Sequence, residues 1–197
     1  NRCASTFEQT CEDLAPSYLD LYLIHWPGDY QRNEQVYKGL EWLYEHGKIK
    51  ALGVSNFLPH HLDALMSTCT TRPMVNQVET HVEVQNHRLK SYCDSHDIVM
   101  EAYAPMMSGH IKRLLDNEVM QEIAKKHNHS VVQIALHWLV DRGIIALPKS
   151  TSAAHIKANL DIFGFSLDQE DKDRIRNLNT GRKLFPDPDN VDFGFRD

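Results

Sequence analysis

The sequence has no apolar run approaching the length of a membrane span, so no membrane partner is expected. No apolar segment follows Asn1-Arg2-Cys3-Ala4-Ser5-Thr6, so this stretch does not read as a signal peptide. There is no C-x-x-C. The four cysteines, Cys3, Cys11, Cys69 and Cys93, are widely and irregularly spaced, which predicts reduced thiols in a cytoplasmic setting rather than a disulfide framework. Positive charge is scarce: 21 Lys and Arg against 27 Asp and Glu give a net charge of −6, which argues against a nucleic-acid partner. Twelve histidines are many for 197 residues, yet His60-His61 and His127-Asn128-His129 show neither H-E-x-x-H nor finger spacing, so no metal site is expected. Finally, glycine is sparse at nine residues and no G-x-G-x-x-G follows a strand. That excludes the usual doubly wound dinucleotide domain.

What is present is an alternation of two periodicities. Short apolar runs are predicted as strands at 19–24, 49–54, 74–78, 98–104 and 144–147. Helical spacing is predicted at 7–14, 33–45, 59–66, 88–96, 118–126, 131–141 and 154–160, and a last helix opens at Asp168. The segment Pro186-Asp187-Pro188-Asp189-Asn190 is predicted as a surface turn. Strands buried on both faces and separated by helices imply βαβ units and a parallel sheet. With the dinucleotide fingerprint missing, the expected class is α/β and the expected architecture a (β/α)8 TIM barrel, with residues 1–197 as a single domain.

The polar interruptions fall at the C-terminal ends of the predicted strands: His25-Trp26-Pro27, Ser55-Asn56-Phe57, Asn76-Gln77 running to Glu79-Thr80-His81, Glu101 to Pro105, and Pro148-Lys149-Ser150. In a barrel these ends share the catalytic face. Each residue also has a plainer reading. His25 is a rim histidine or a hydrogen-bond donor to a carbonyl oxygen that gains charge. Ser55 and Asn56 cap the next helix or bind a ligand. Gln77 satisfies backbone groups or does the same. Tyr103 is a core residue or a stacking platform. Lys149 is a surface charge or, with Ser150-Thr151-Ser152 and the start of a helix behind it, part of an anion site suited to phosphate.

These segments carry a family resemblance. Asp20-Leu21-Tyr22-Leu23-Ile24-His25-Trp26-Pro27, Gly53-Val54-Ser55-Asn56-Phe57, Val75-Asn76-Gln77-Val78-Glu79, Glu101-Ala102-Tyr103-Ala104-Pro105 and Leu147-Pro148-Lys149-Ser150 resemble, in order and spacing, the signature segments of the aldo-keto reductases. The resemblance implies NADPH-dependent reduction of an aldehyde or ketone, a small-molecule carbonyl partner, and a full-length form that is a monomer. His25 matches the family's carbonyl-orienting His, and Trp26 would line the substrate pocket. By the same resemblance Ser55, Asn56 and Gln77 would hold the nicotinamide carboxamide, with Tyr103 stacked on the ring. Lys149, Ser150 and Ser152 would take the 2′-phosphate, and Asn159 would contact adenine.

The departures from the family pattern are informative too. Ala104 stands where a Ser usually follows the stacking Tyr. His155 stands where an Arg commonly clamps the 2′-phosphate, and Ala158 where a Glu is usual. A neutral imidazole has no fork of donors, which keeps NADH possible beside NADPH. The family's catalytic Tyr, Lys and Asp find no match ahead of His25, because Tyr18 falls at the entry of a strand rather than at its exit. The expectation is therefore a C-terminal portion, strands four to eight of the barrel, with one of four catalytic residues and negligible turnover alone. Two rivals stay open: a non-catalytic nucleotide-binding or regulatory module, and a structural protein that reuses the scaffold.

Overall fold

The computed structural model describes residues 6–9, 11 and 18–191. Cys3, Phe193, Phe195 and part of the predicted 7–14 helix lie outside the described residues, while 6–9 and 11 are helical. Five parallel strands alternate with helices, as the apolar patterning predicts. The chain divides into two compact units, Asn1–Gln77 with Leu89–Val99, and Val78–Arg88 with Met100–Asp197.

The first unit contains β1 (Leu19–Ile24), α1 (Tyr30–Glu45), β2 (Ile49–Ser55), α2 (Pro59–Met66), the start of β3 (Val75–Glu79) and most of α3 (His87–Ser95). Leu21 lies opposite Ala51 and Ile24 opposite Val54; Gly53 lies opposite Val75 and Ser55 opposite Gln77. Gly53 is required by close approach. A Cβ there would stand 2.6 Å from the Val75 carbonyl oxygen and 2.8 Å from Leu23 Cδ2, inside van der Waals contact.

Helix α1 begins three residues before the apolar spacing predicts, because Asp29 caps it. The Asp29 carboxylate accepts from the Arg32 N–H at 2.8 Å, and the Asn33 side chain bonds to both backbone groups of Gly28 at 2.8 and 3.1 Å. Tyr37, Leu40 and Leu43 form the buried stripe of this helix, while the buried carboxylate of Glu41 accepts the Thr70 and Thr71 N–H groups at 2.6 Å each.

In the second unit, β4 (Val99–Tyr103, counted here from Met100) pairs with β5 (Ile144–Ala146), Met100 opposite Ile144 and Ala102 opposite Ala146. The helices are α4 (Ile111–Leu115), α5 (Glu118–His127), α6 (Val131–Asp141), α7 (Ala153–Leu160) and α8 (Gln169–Arg176). Helix α4 is absent from the sequence reading because five residues are too few to establish a helical period; Leu114 alone anchors it in the core. The α6 start is a reciprocal box in which Ser130 and Gln133 each satisfy the other's N–H.

Helix α8 is fastened to α5 by charge. The Asp171 side chain is 1 % exposed and takes Lys126 at 2.9 Å and His127 at 2.7 Å, and Lys126 also reaches Asp168 at 2.5 Å. The Lys126 ammonium holds the Asp168 carboxyl down at about 2. At Asp171, burial works to raise the pKa, but hydrogen bonds from His127 and Lys126 outweigh it and the net shift is downward. Several histidines are packing groups here: His127, His129 and His137 surround Phe165 with ring centroids 5.7, 4.0 and 4.4 Å away.

Cys11, Cys69 and Cys93 are free thiols. Among the described residues no helix is long and apolar enough to cross a membrane.

Two outcomes follow. Gly53→Ala should lower stability by about 1–3 kcal/mol in urea titration, since the Leu23 side chain can turn aside but the Val75 carbonyl cannot retreat without disturbing the ladder. The depressed Asp168 and Asp171 carboxyls contribute stability that is complete above their unfolded pKa, near 4, and that is lost as pH falls through their folded values, about 2 for Asp168 and lowered for Asp171. Asp171→Asn should shift the acid-unfolding midpoint to higher pH, as followed by circular dichroism.

Candidate active site

The parallel register decides which polar groups meet. In the first unit β1 ends at Ile24 and is followed by His25, exposed, and Trp26, half-buried, with ring centroids 6.2 Å apart. Because Ser55 lies opposite Gln77, its hydroxyl donates to the Gln77 carbonyl at 2.8 Å, and the Asn56 N–H reaches the same oxygen at 2.9 Å. Asn56 adopts a left-handed backbone, φ 64°, which turns its amide back across the strand ends. There Nδ2 donates to the His25 carbonyl at 3.1 Å and to Ser55 Oγ at 3.2 Å. The neighbouring Asn76 amide donates to the Phe57 carbonyl at 2.8 Å. The helix-capping alternative for Ser55 and Asn56 does not describe them, since the residue at the N-cap of α2 is Leu58, whose N–H is taken by His61 Nδ1 at 3.1 Å. Tyr18 stands at the other end of β1, before Leu19, with the Lys50 ammonium 3.9 Å above its ring.

The second unit contains a cavity of about 590 Å³ lined by Tyr103, Ala104, Met106, Leu147, Lys149, Ser150, Thr151 and Phe185, among others. Tyr103 is the last residue of β4, and burial, with the Glu79 charge adding to it, raises its phenol above the usual range. Ala104 has φ 51°, so the chain turns sharply as the strand ends. Ser150 Oγ accepts the Ser152 N–H at 3.1 Å, and Ser152 caps α7 by accepting the His155 N–H at 3.4 Å. A cation, two hydroxyls and a helix start therefore follow one another along this segment, which is the chemistry an anion needs. His155 is exposed on the first turn of α7. Asn159 is placed differently. It lines a separate apolar cavity of about 590 Å³ with Leu136, Ile144 and Leu160.

One residue with more to do than its strand-end position suggested is Glu79. Its buried carboxylate accepts the Leu184 N–H at 2.7 Å, the Phe185 N–H at 3.3 Å, and is paired with His81 Nε2 at 3.0 Å. Partners 105 residues away leave no local signature in the sequence.

Comparison with known proteins gives the lineage of these strand ends. The sequence profile described as the aldo/keto reductase family matches residues 1–180. The chain belongs to the aldo-keto reductase family. This aldo-keto reductase chain is 46 % identical over 189 residues to the protein named glyoxal reductase of Bacillus subtilis, covering 96 % of the chain and 67 % of that relative. Among solved structures it is similar to MGS-M4, an aldo-keto reductase from a Medee basin deep-sea metagenome library, with TM-score 0.95 and 50 % identity over 97 % of this chain and 71 % of that one. It is also similar to a point mutant of Gox0644 in complex with NADPH, with TM-score 0.91 and 34 % identity over 97 % and 70 % of the two chains. The chain spans about two thirds of the length of the curated relatives it matches.

Asn56→Ala removes the amide that joins His25 to the β2 end and places a Cβ-bearing, non-Asn residue at positive φ. The expected cost is about 1–3 kcal/mol in chemical denaturation, larger than for Asn56→Gly, which loses the same bonds but tolerates the backbone.

Proposed function

We propose that this aldo-keto reductase chain serves an NADP(H)-dependent oxidoreductase that reduces aldehydes or ketones to alcohols, small dicarbonyls such as glyoxal being the substrate class suggested by the Bacillus subtilis relative. We read β1 to β5 as strands four to eight of a (β/α)8 barrel and residues 1–197 as one portion of that domain. The observation that carries the reading is the cavity in the second unit, where the ring of Tyr103 and the cation–hydroxyl run Lys149-Ser150-Thr151 line the same space. That donor set fits a phosphorylated dinucleotide: an aromatic platform at one place, a charge and hydroxyls at another.

When bound, NADPH would supply the hydride. Lys149, Ser150 and Ser152 would bind its 2′-phosphate, and His155 would add a single imidazole rather than a guanidinium fork, so that NADH would be discriminated less strongly. Tyr103 would offer its ring to the nicotinamide, Ser55, Asn56 and Gln77 would offer polar groups to its carboxamide, and Asn159, which lines a separate apolar cavity, would contact adenine. His25 donates a hydrogen bond to the substrate oxygen as negative charge builds there, and Trp26 bounds the substrate. An alkoxide product would need a proton donor of suitable pKa; in our reading the 197 residues alone bind nucleotide without appreciable turnover. In this reading the working location is the cytoplasm and the full-length form is a monomer.

The test is titration of the 197-residue chain with NADPH and with NADH, read by quenching of its three tryptophans. Saturable NADPH binding is expected, with Lys149→Met weakening it by about tenfold or more and affecting NADH less, because a charge-assisted phosphate contact is lost. Failure to bind either nucleotide overturns the reading. Glyoxal-dependent NADPH oxidation by these residues alone, at a rate typical of enzymes, about 10 per second, would show that another proton donor operates.

A further inference from the structure

The Glu79 carboxylate is buried in the second unit, where an unpaired charge would be costly, and its bonds lead to one short segment. His81 is fully buried and its Nδ1 accepts the Glu83 N–H at 3.2 Å, which leaves the ring proton on Nε2 to donate to Glu79 Oε1 at 3.0 Å. The same oxygen accepts from Leu184 N–H at 2.7 Å, and Oε2 accepts from Phe185 N–H at 3.3 Å. The approach to this anchor is also tied down. Thr180 and Gly181 donate to the Glu83 carbonyl at 3.0 and 2.8 Å, and Asn179 Oδ1 accepts the Gln85 N–H at 3.1 Å. Residues 179–185 therefore form a strap stitched along residues 79–85.

The strap ends at the pocket. Phe185 meets Tyr103 edge-on, ring centroids 5.1 Å apart with an interplanar angle of 86°, and lines the cavity that also holds Lys149 and Ser150. Phe185 is 37 % exposed, so packing against Tyr103 holds its ring only in part. Its backbone is held by the N–H that it gives to Glu79 and by that of Leu184 before it.

We propose that Glu79 is a positioning residue for nucleotide retention: by gripping the Leu184 and Phe185 amides it holds Phe185 as a wall of the Tyr103 pocket and slows the departure of a bound dinucleotide. This rests on the nucleotide reading of that pocket. Glu79 touches neither the nucleotide nor the reacting atoms; it acts through the strap.

The experiment compares the parent chain with Glu79→Gln, Phe185→Ala and the double variant, using stopped-flow tryptophan fluorescence with NADPH together with amide hydrogen exchange. In Glu79→Gln, a neutral amide that offers one acceptor in place of two, exchange at Leu184 and Phe185 should quicken by about tenfold. The NADPH dissociation rate should rise about threefold to tenfold in each single variant, the worth of an aromatic contact. The association rate should be unchanged, and the double variant no faster than either single one. Glu79 serving only to stabilise the fold would lower the fraction of binding-competent chain and leave the dissociation rate alone. An unchanged dissociation rate in Glu79→Gln, or additive effects in the double variant, overturns the inference while the nucleotide reading stands. A parent chain that binds no NADPH overturns both. If Glu79→Gln does not fold, Phe185→Ala keeps the anchor intact and must still release NADPH faster; no increase there overturns the inference.

Discussion

Where a side chain would begin on Gly53, the carbonyl of Val75 already stands. This close approach sets β2 against β3 in one register, and the placement of the polar groups in the first unit follows from it. With Gly53 opposite Val75, Ser55 must come opposite Gln77, and a strand that ends at Ser55 presents its hydroxyl to that carbonyl. Sliding the ladder by one residue would turn each side chain to the other face, burying what now faces outward. Parallel pairing adds a second constraint: neighbouring strands run the same way, so groups that follow strands in sequence gather at the same end in space. His25, Ser55, Asn56 and Gln77 are brought together by that rule before any of them is asked to do chemistry.

The second unit solves a different problem, that of holding charge and irregular backbone near a cavity. Two buried carboxylates do comparable work there. Asp171 takes a lysine and a histidine from α5 and so locks one helix to another, whereas Glu79 takes backbone N–H groups and so locks a segment with no helix or strand of its own. The contrast is physical. A helix satisfies its own backbone and can be held by side chains, but an irregular segment carries unpaired N–H groups that need acceptors, and an ionised carboxylate is the strongest the chain has.

How much of this can be read from sequence alone depends on distance along the chain. The limits of β1, α2 and α6 coincide with the apolar spacing, because each is long enough to show its period and is bounded by Pro, Gly or a capping residue. The early start of α1 turns on Asp29 and Asn33, whose bonds reach only a few residues and are visible as capping chemistry in hindsight. Helix α4 is too short to show a period at all. The polar strand ends at His25, Ser55 and Asn56 in the first unit, and at Tyr103 and Lys149 in the second, are legible because each interrupts an apolar run. The left-handed backbone of Asn56 and Ala104 is not, since neither residue is glycine. The partner of Glu79 was beyond reach, as nothing local in Leu184-Phe185 names a carboxylate 105 residues earlier.

That same separation has a bearing on how the pocket comes into being. Leu184 follows Glu79 by 105 residues, so during synthesis Glu79 emerges well before its two amides exist. Until they arrive, the carboxylate has His81 as a neighbour but leaves acceptor sites that only water can fill, so closing over it early is costly. A closed loop of this size is also slow to form, since its entropy must be given up before the contact repays it. The wall beside Tyr103 thus waits for residues that are synthesised after all five strands, and a nascent chain holds its strand ends before it can enclose the cavity.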